Sequence, residues 1–187
     1  MMLQPVGKTS GNRARVPSYP PGRKLESGAR IHQTFLKMRD LPVRSPAAKV
    51  GGIVYFGRML DKIKVNARGD LPPEYQQNLG KGFDARCVRF LRLNYDELVQ
   101  RVLQGGSDEE ILAWCFAHGR KPEEDEIHIW NEYMRKCGWH DEIADTLTRR
   151  KKEAGMAGRS EIRTMFEFID VDEGRSLPDA LGFERKS

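Results

Sequence analysis

The chain has 187 residues, of which 39% are hydrophobic, 32% charged and 9% aromatic, enough for one folded domain and a tail. No apolar run approaches the roughly 18 residues of a membrane-spanning helix, and no secretory signal opens the chain, so the composition predicts a cytoplasmic protein that does not enter the membrane. The net charge of +5 is uneven: residues 1–39 hold eight basic side chains against Glu26 alone, a charge of +7, which leaves the rest at −2. The basic character thus belongs to a leader, and it says little about the partners of the folded part.

That leader contains Pro5, Pro17, Pro20 and Pro21 with Gly7, Gly11, Gly22 and Gly28, and shows no apolar period. Such a segment buries too little to offset its ordering entropy and is expected to be disordered over 1–39. Met38 offers a second candidate start. A single domain is expected over 40–175, followed by a tail over 176–187.

Ser45 and Pro46 read as an N-cap and first-turn proline of a long helix that carries Val50, Ile53, Val54, Leu60 and Ile63 as far as Gly69. Gly51 and Gly52 inside it suggest close packing against another helix or, as the alternative, a ligand. Residues 71–82 read as a loop with one turn around Tyr75. Asp84 then caps a helix that buries Cys87, Val88, Phe90 and Leu91, and Asn94 caps the next, with Leu98, Val99, Val102 and Leu103 on one side up to Gly105. Ser107 and Glu110 form a capping box before Ile111, Leu112, Trp114, Cys115 and Phe116. The acid run Glu123 to Glu126 suits the positive end of a helix whose inner face is Ile127, Trp130, Tyr133 and Met134. Asp141 opens a helix with Ile143 and Leu147, and a last helix runs from about Ser160 through Ile162, Met165, Phe166 and Ile169 to Gly174. No strand is expected. The predicted fold is an all-α compact bundle of about seven helices with short links.

The motifs carry little chemistry. Cys115 and His118 with Cys137 and His140 have the spacing of a zinc site, but Cys115 shares an apolar stripe with Ile111 and Leu112, so the residues are expected to be core and surface and no metal is expected. An odd set of three distant cysteines makes no disulfide framework and fits a reducing compartment. Asp170 to Gly174 places glycine fifth where a calcium loop needs it sixth. The helix at Asp108 presents acids where a DNA-recognition helix would present bases. Nucleic acid remains a partner only through the leader or through the stripe Arg86, Arg89 and Arg92. No motif names a catalytic residue or a cofactor. On the first helix Arg58, Asp61 and Lys62 cluster on an otherwise apolar segment, and Asp61 is expected to pair with Arg58 or Arg175.

The stretches Arg44-Ser45-Pro46, GGIVYFGRMLDKIK from Gly51, SDEEILAWCFAHGR from Ser107, IWNEYMRKCGWHDE from Ile129 and MFEFIDVDEGR from Met165 resemble the landmarks of an uncharacterised bacterial family, domain of unknown function five-zero-six-nine. The resemblance spans about 40–175 and implies no chemistry. Two readings follow from the residues. The favoured one is a non-catalytic binding or protein-interaction module. The alternative is an enzyme or receptor for a small anionic ligand, built from the polar residues that share segments with aromatics: Arg58, Asp61, Lys62, Trp130, Asn131, Tyr133, Asp170, Asp172 and Arg175. Convergence of these residues in one pocket would separate the two.

Overall fold

A computed structural model describes residues 42–177; the basic leader, Met38 and most of the C-terminal tail lie outside them. Among the described residues the chain forms a hairpin of two short strands, β1 (Lys49–Val50) and β2 (Ile53–Val54), and eight helices. These are α1 (Phe56–Ala67), α2 (Pro73–Gln76), α3 (Phe83–Phe90), α4 (Tyr95–Leu103), α5 (Asp108–His118), α6 (Glu124–Lys136), α7 (Ala144–Glu153) and α8 (Met165–Asp172). The architecture is helical, as the apolar periods predict.

The expected long helix from Ser45 is the principal departure. Gly51 and Gly52 have φ of 52° and 84°, the positive pair that a two-residue hairpin turn requires, so β-branched Val50, Ile53 and Val54 pair across it with Val50 opposite Ile53. The glycines do meet a neighbour: a Cβ on Gly51 would stand 2.2 Å from a methyl of Leu112 on α5. A helix begins only after Tyr55, a non-glycine residue held in the left-handed region at φ 70°. Its backbone N–H is fixed by the Pro46 carbonyl at 2.9 Å.

From there α1 runs through the centre of the molecule. Phe56, Met59, Leu60 and Ile63 are buried, and so are Gly57, Arg58, Lys62 and Val65, which leaves the helix almost no solvent face. It packs on α4 and the hairpin; α6 packs on β2 and α8, and α7 closes over α8. Two caps match expectation. Asn94 accepts from the N–H groups of Asp96 and Glu97, and Ser107 with Glu110 forms the capping box of α5. Two starts differ. Gly82, not Asp84, precedes α3, because Asp84 is drawn inward, and α8 begins at Met165 behind the capping box of Thr164 and Glu167 rather than at Ser160.

Beside a minor cluster of Val43, Val65 and Leu71, the apolar core holds one large cluster around α1 and a smaller one of Leu147, Ile162 and Phe168 beneath α7 and α8. The seam between these last two is not filled.

Candidate functional site

A cavity of about 370 Å³ opens at that seam, with walls from α1, α2, α3, α7 and α8. Its size falls within the range of small-molecule sites. Apolar and aromatic surface dominates: Tyr55 and Phe83 come from the main cluster, Met165, Phe168 and Ile169 from the smaller one, and Ile143 joins them in the lining. The rings of Tyr55 and Phe83 meet edge to face with centroids 5.4 Å apart, and Phe166 braces both from behind.

The floor is charged, and every charge in it is answered. Lys62 donates to Asp84 at 2.6 Å and to the Tyr55 hydroxyl at 3.2 Å, while Tyr55 itself donates to Asp84 at 2.9 Å. The second oxygen of Asp84 takes the Gly80 N–H at 3.1 Å, and its side chain is 0% exposed. One turn before Lys62 on α1, Arg58 forks onto both oxygens of Glu173 and donates to the Arg44 carbonyl at 2.8 Å. Glu173 also accepts from the Tyr75 hydroxyl at 2.7 Å and from Arg175 at 2.5 Å. Arg175 in turn reaches Asp170 at 2.9 Å and the Val43 carbonyl, and Ser45 donates to Asp170 at 2.7 Å. Three cations thus face three carboxylates.

Burial and pairing compete in this floor. Burial pushes the Lys62 ammonium below its ordinary value, although the charge of Asp84 opposes the shift. For Glu173 burial would favour the neutral acid, but the charge and hydrogen bonds of Arg58, joined by those of Tyr75 and Arg175, hold its carboxyl below the ordinary range. Burial and the charge of Glu173 push the Tyr75 phenol up, so it stays a donor.

The rim is different. Lys81 is exposed and Arg150 half-buried, and among the described residues neither side chain has a hydrogen-bonding or ion-pair partner. Asp172 also lines the cavity, half-buried and likewise without a hydrogen-bonding or ion-pair partner among the described residues; burial and then the charge of Glu173 push its carboxyl up to about 6, against the charge of Arg150. Arg86 also lines the cavity, stacked 6.0 Å from the Phe83 ring and 5.5 Å from that of Tyr133, with exposed Glu142 at 2.8 Å.

Of the residues singled out in the sequence, Arg58, Lys62 and Asp172 line this cavity. Asp170 and Arg175 stand behind the floor and hold Glu173. Asp61 pairs with neither Arg58 nor Arg175. It accepts from Arg44, at 2.9 Å from the backbone N–H and 2.7 Å from each of two guanidinium nitrogens, and Arg44 also meets Asp108 at 2.6 Å. Asn131 and Trp130 serve the hairpin: Asn131 accepts from the Val54 N–H at 3.0 Å and donates to the Gly52 carbonyl at 2.8 Å, and Trp130 donates to the Val54 carbonyl at 3.3 Å. Tyr133 lies outside the cavity lining and reaches it only through Arg86. Sequence reasoning missed Asp84, Glu173, Lys81 and Arg150. The one available signal was an acid at the second position of α3 on a face otherwise formed by Cys87 and Val88.

The zinc-like spacing is not gathered into a site. Burial pushes the thiols of Cys115 and Cys137 up to about 12 and about 11, which disfavours the thiolate a metal needs, and His118 turns its Nδ1 to the Trp114 carbonyl at 2.9 Å. Among the described residues no group of three or more His, Cys, Asp or Glu side chains is placed to hold a metal ion. None of their helices is long and apolar enough to cross a membrane.

The residues that build the hairpin, the floor and the rim fall within one stretch, and a family model for a domain of unknown function, DUF5069, matches residues 40–175. The chain belongs to that family. Its landmarks now have structural meaning: Arg44 to Pro46 and the segment after Met165 meet through Ser45 and Asp170, and the Gly51 landmark supplies Arg58 and Lys62. Among curated proteins, none matches the chain.

Proposed function

We propose that this DUF5069 protein is a non-catalytic binding module whose ligand is a small molecule carrying an anionic group, held in the cavity between α1, α2, α3, α7 and α8. The observation that carries this reading is the pair Lys81 and Arg150, cations at the rim of an apolar-walled cavity with no side-chain partner among the described residues. Stability does not account for them, because the floor beneath is already neutralised. An anion entering between them gains charge-assisted hydrogen bonds, while its body covers Phe83, Phe168 and Ile169.

Binding is favoured over catalysis by the state of the reactive groups. Among the described residues no histidine or cysteine lines the cavity, and Lys62, whose lowered pKa would suit a nucleophile, is committed to Asp84 and Tyr55. The test is a thermal-shift and calorimetric titration of the full chain with benzoate, 3-phenylpropanoate, phenyl phosphate and inorganic phosphate. An aryl anion is expected to raise Tm, since a ligand that prefers the native state stabilises it, and Arg150→Ala with Lys81→Ala should abolish the rise while leaving the Tm of the free protein in place. A response that survives the double substitution would locate anion binding elsewhere, and no response to any aryl anion would remove the proposal.

A further inference from the structure

The rim carries unanswered charge of both signs, and this constrains the ligand further. Asp172 is the last residue of α8, where a carboxylate faces the negative end of the helix dipole, and the last turn of that helix contains no base. Nearby Asp170, in the same turn, is compensated by Arg175 and Ser45. Asp172 has no hydrogen bond or ion pair among the described residues, and the charge of Arg150 on the packed neighbour α7 acts on it only through space, without offsetting its burial and the charge of Glu173. Holding an uncompensated acid at that point is unfavourable for the free protein, which is the pattern of a side chain kept for a ligand.

We infer that the ligand is a small zwitterion of the α-amino-acid class with an apolar or aromatic side chain, its carboxylate received by Arg150 and Lys81 and its ammonium by Asp172. This rests on the reading of the cavity as an anion-binding site and adds the second charge. Three features of the site match the class. The opposite charges line one cavity: Asp172 ends α8, Arg150 lies on the packed neighbour α7, and Lys81 lies in the loop before α3. Beside polar Glu74, Asn78 and Thr146, the wall offers Phe83, Phe168, Ile169 and Met165 to an apolar side chain. The volume of about 370 Å³ accommodates a single-ring amino acid.

The pH dependence follows from the groups that face Asp172. These are Glu173 beside it, Glu74 and Tyr75 from α2, and Arg150 from α7. Glu173 is held ionised by Arg58 and Tyr75 is held neutral, so of these three groups it is Asp172, its carboxyl pushed up to about 6, that changes charge between pH 5 and pH 7. An ammonium needs the carboxylate, so affinity should rise over that interval, by up to about tenfold.

Isothermal titration of the full chain with L-phenylalanine, 3-phenylpropanoate and 2-phenylethylamine decides the matter. Phenylalanine is expected to bind at least about tenfold tighter than either single-charge analogue at pH 7, and more weakly at pH 5. Asp172→Asn, which keeps the shape, should bring phenylalanine down to the level of 3-phenylpropanoate and leave the latter unchanged or improved. Equal or tighter binding of 3-phenylpropanoate by the native protein would overturn the zwitterion while the anion site stands. Preference for 2-phenylethylamine, or binding of none of the three, would overturn both.

Discussion

The floor and the rim of the cavity use the same residue types to opposite ends. In the floor Arg58 and Lys62 are each 3% exposed and each meets a carboxylate from a distant element, Glu173 or Asp84. At the rim Lys81, Arg150 and Asp172 are in or near solvent, and none is paired with another side chain among the described residues. A charge taken out of water must be matched or it destabilises the fold, whereas a charge left at the edge of water is free to match something that arrives later. The contrast assigns stability to the floor and recognition to the rim, and substitutions can break it in either direction.

The largest effect is expected in the floor. Arg58→Ala or Glu173→Ala should each cost about 3–5 kcal/mol in urea melts, because either leaves its partner buried and uncompensated. The double substitution Arg58→Met with Glu173→Leu should recover much of that loss, since removing both charges removes the unmet one. Glu173 has a pKa held below the ordinary 4.5, so its contribution is present above that value and declines as pH falls through the folded pKa. A cost below about 1 kcal/mol for Arg58→Ala, accompanied by lost ligand affinity, would move the floor into the recognition site and erase the distinction.

How much of this was readable in the sequence follows the range of the interactions. Helix ends set by neighbours are legible: Asn94 and Ser107 cap α4 and α5 through bonds to residues two or three positions away. The hairpin was missed because Val50, Ile53 and Val54 satisfy the spacing of a helical stripe as well as that of two short strands, and only the adjacent glycines with positive φ decide between them. The burial of α1 on nearly all sides was foreseeable from Tyr55, Phe56 and Met59 flanking the charges. Its partners were not. Arg58 finds Glu173 at a separation of 115 positions and Lys62 finds Asp84 at 22, and no local rule chooses among the many acids that could serve.

A middle-sized effect tests the boundary of the floor. Asp61 lies on the same helix as Arg58 and Lys62 yet belongs to a second, partly buried set of ion pairs with Arg44, Asp108 and Lys64, which touches the floor through the Arg44 carbonyl. Asp61→Ala should therefore cost about 2 kcal/mol, less than the floor pairs, because Arg44 can turn to water when its partner is lost. In a double-mutant cycle Asp61 should couple to Arg44 by about 1 kcal/mol or more and add independently with Arg175→Ala. Strong coupling between Asp61 and Arg175 would show that the two networks respond as one.

The smallest effect has the opposite sign and probes the rim. The Asp172 carboxyl, pushed up to about 6 from an ordinary 3.8, binds its proton more tightly in the folded chain than in the unfolded one. The folded state is then favoured by low pH, and that advantage is lost as pH rises from about 4 through about 6, so at pH 7 the ionised side chain is a net cost to the free protein. Asp172→Asn removes the ionisation without changing the shape. It should stabilise the free protein at pH 7 by about 1 kcal/mol, a figure reduced from the full shift because the group is partly exposed, and should change nothing at pH 4. Urea melts at the two pH values measure this directly. A loss of stability at pH 7 would mean that Asp172 already has its partner within the protein, and the rim would then be built by the same rule as the floor.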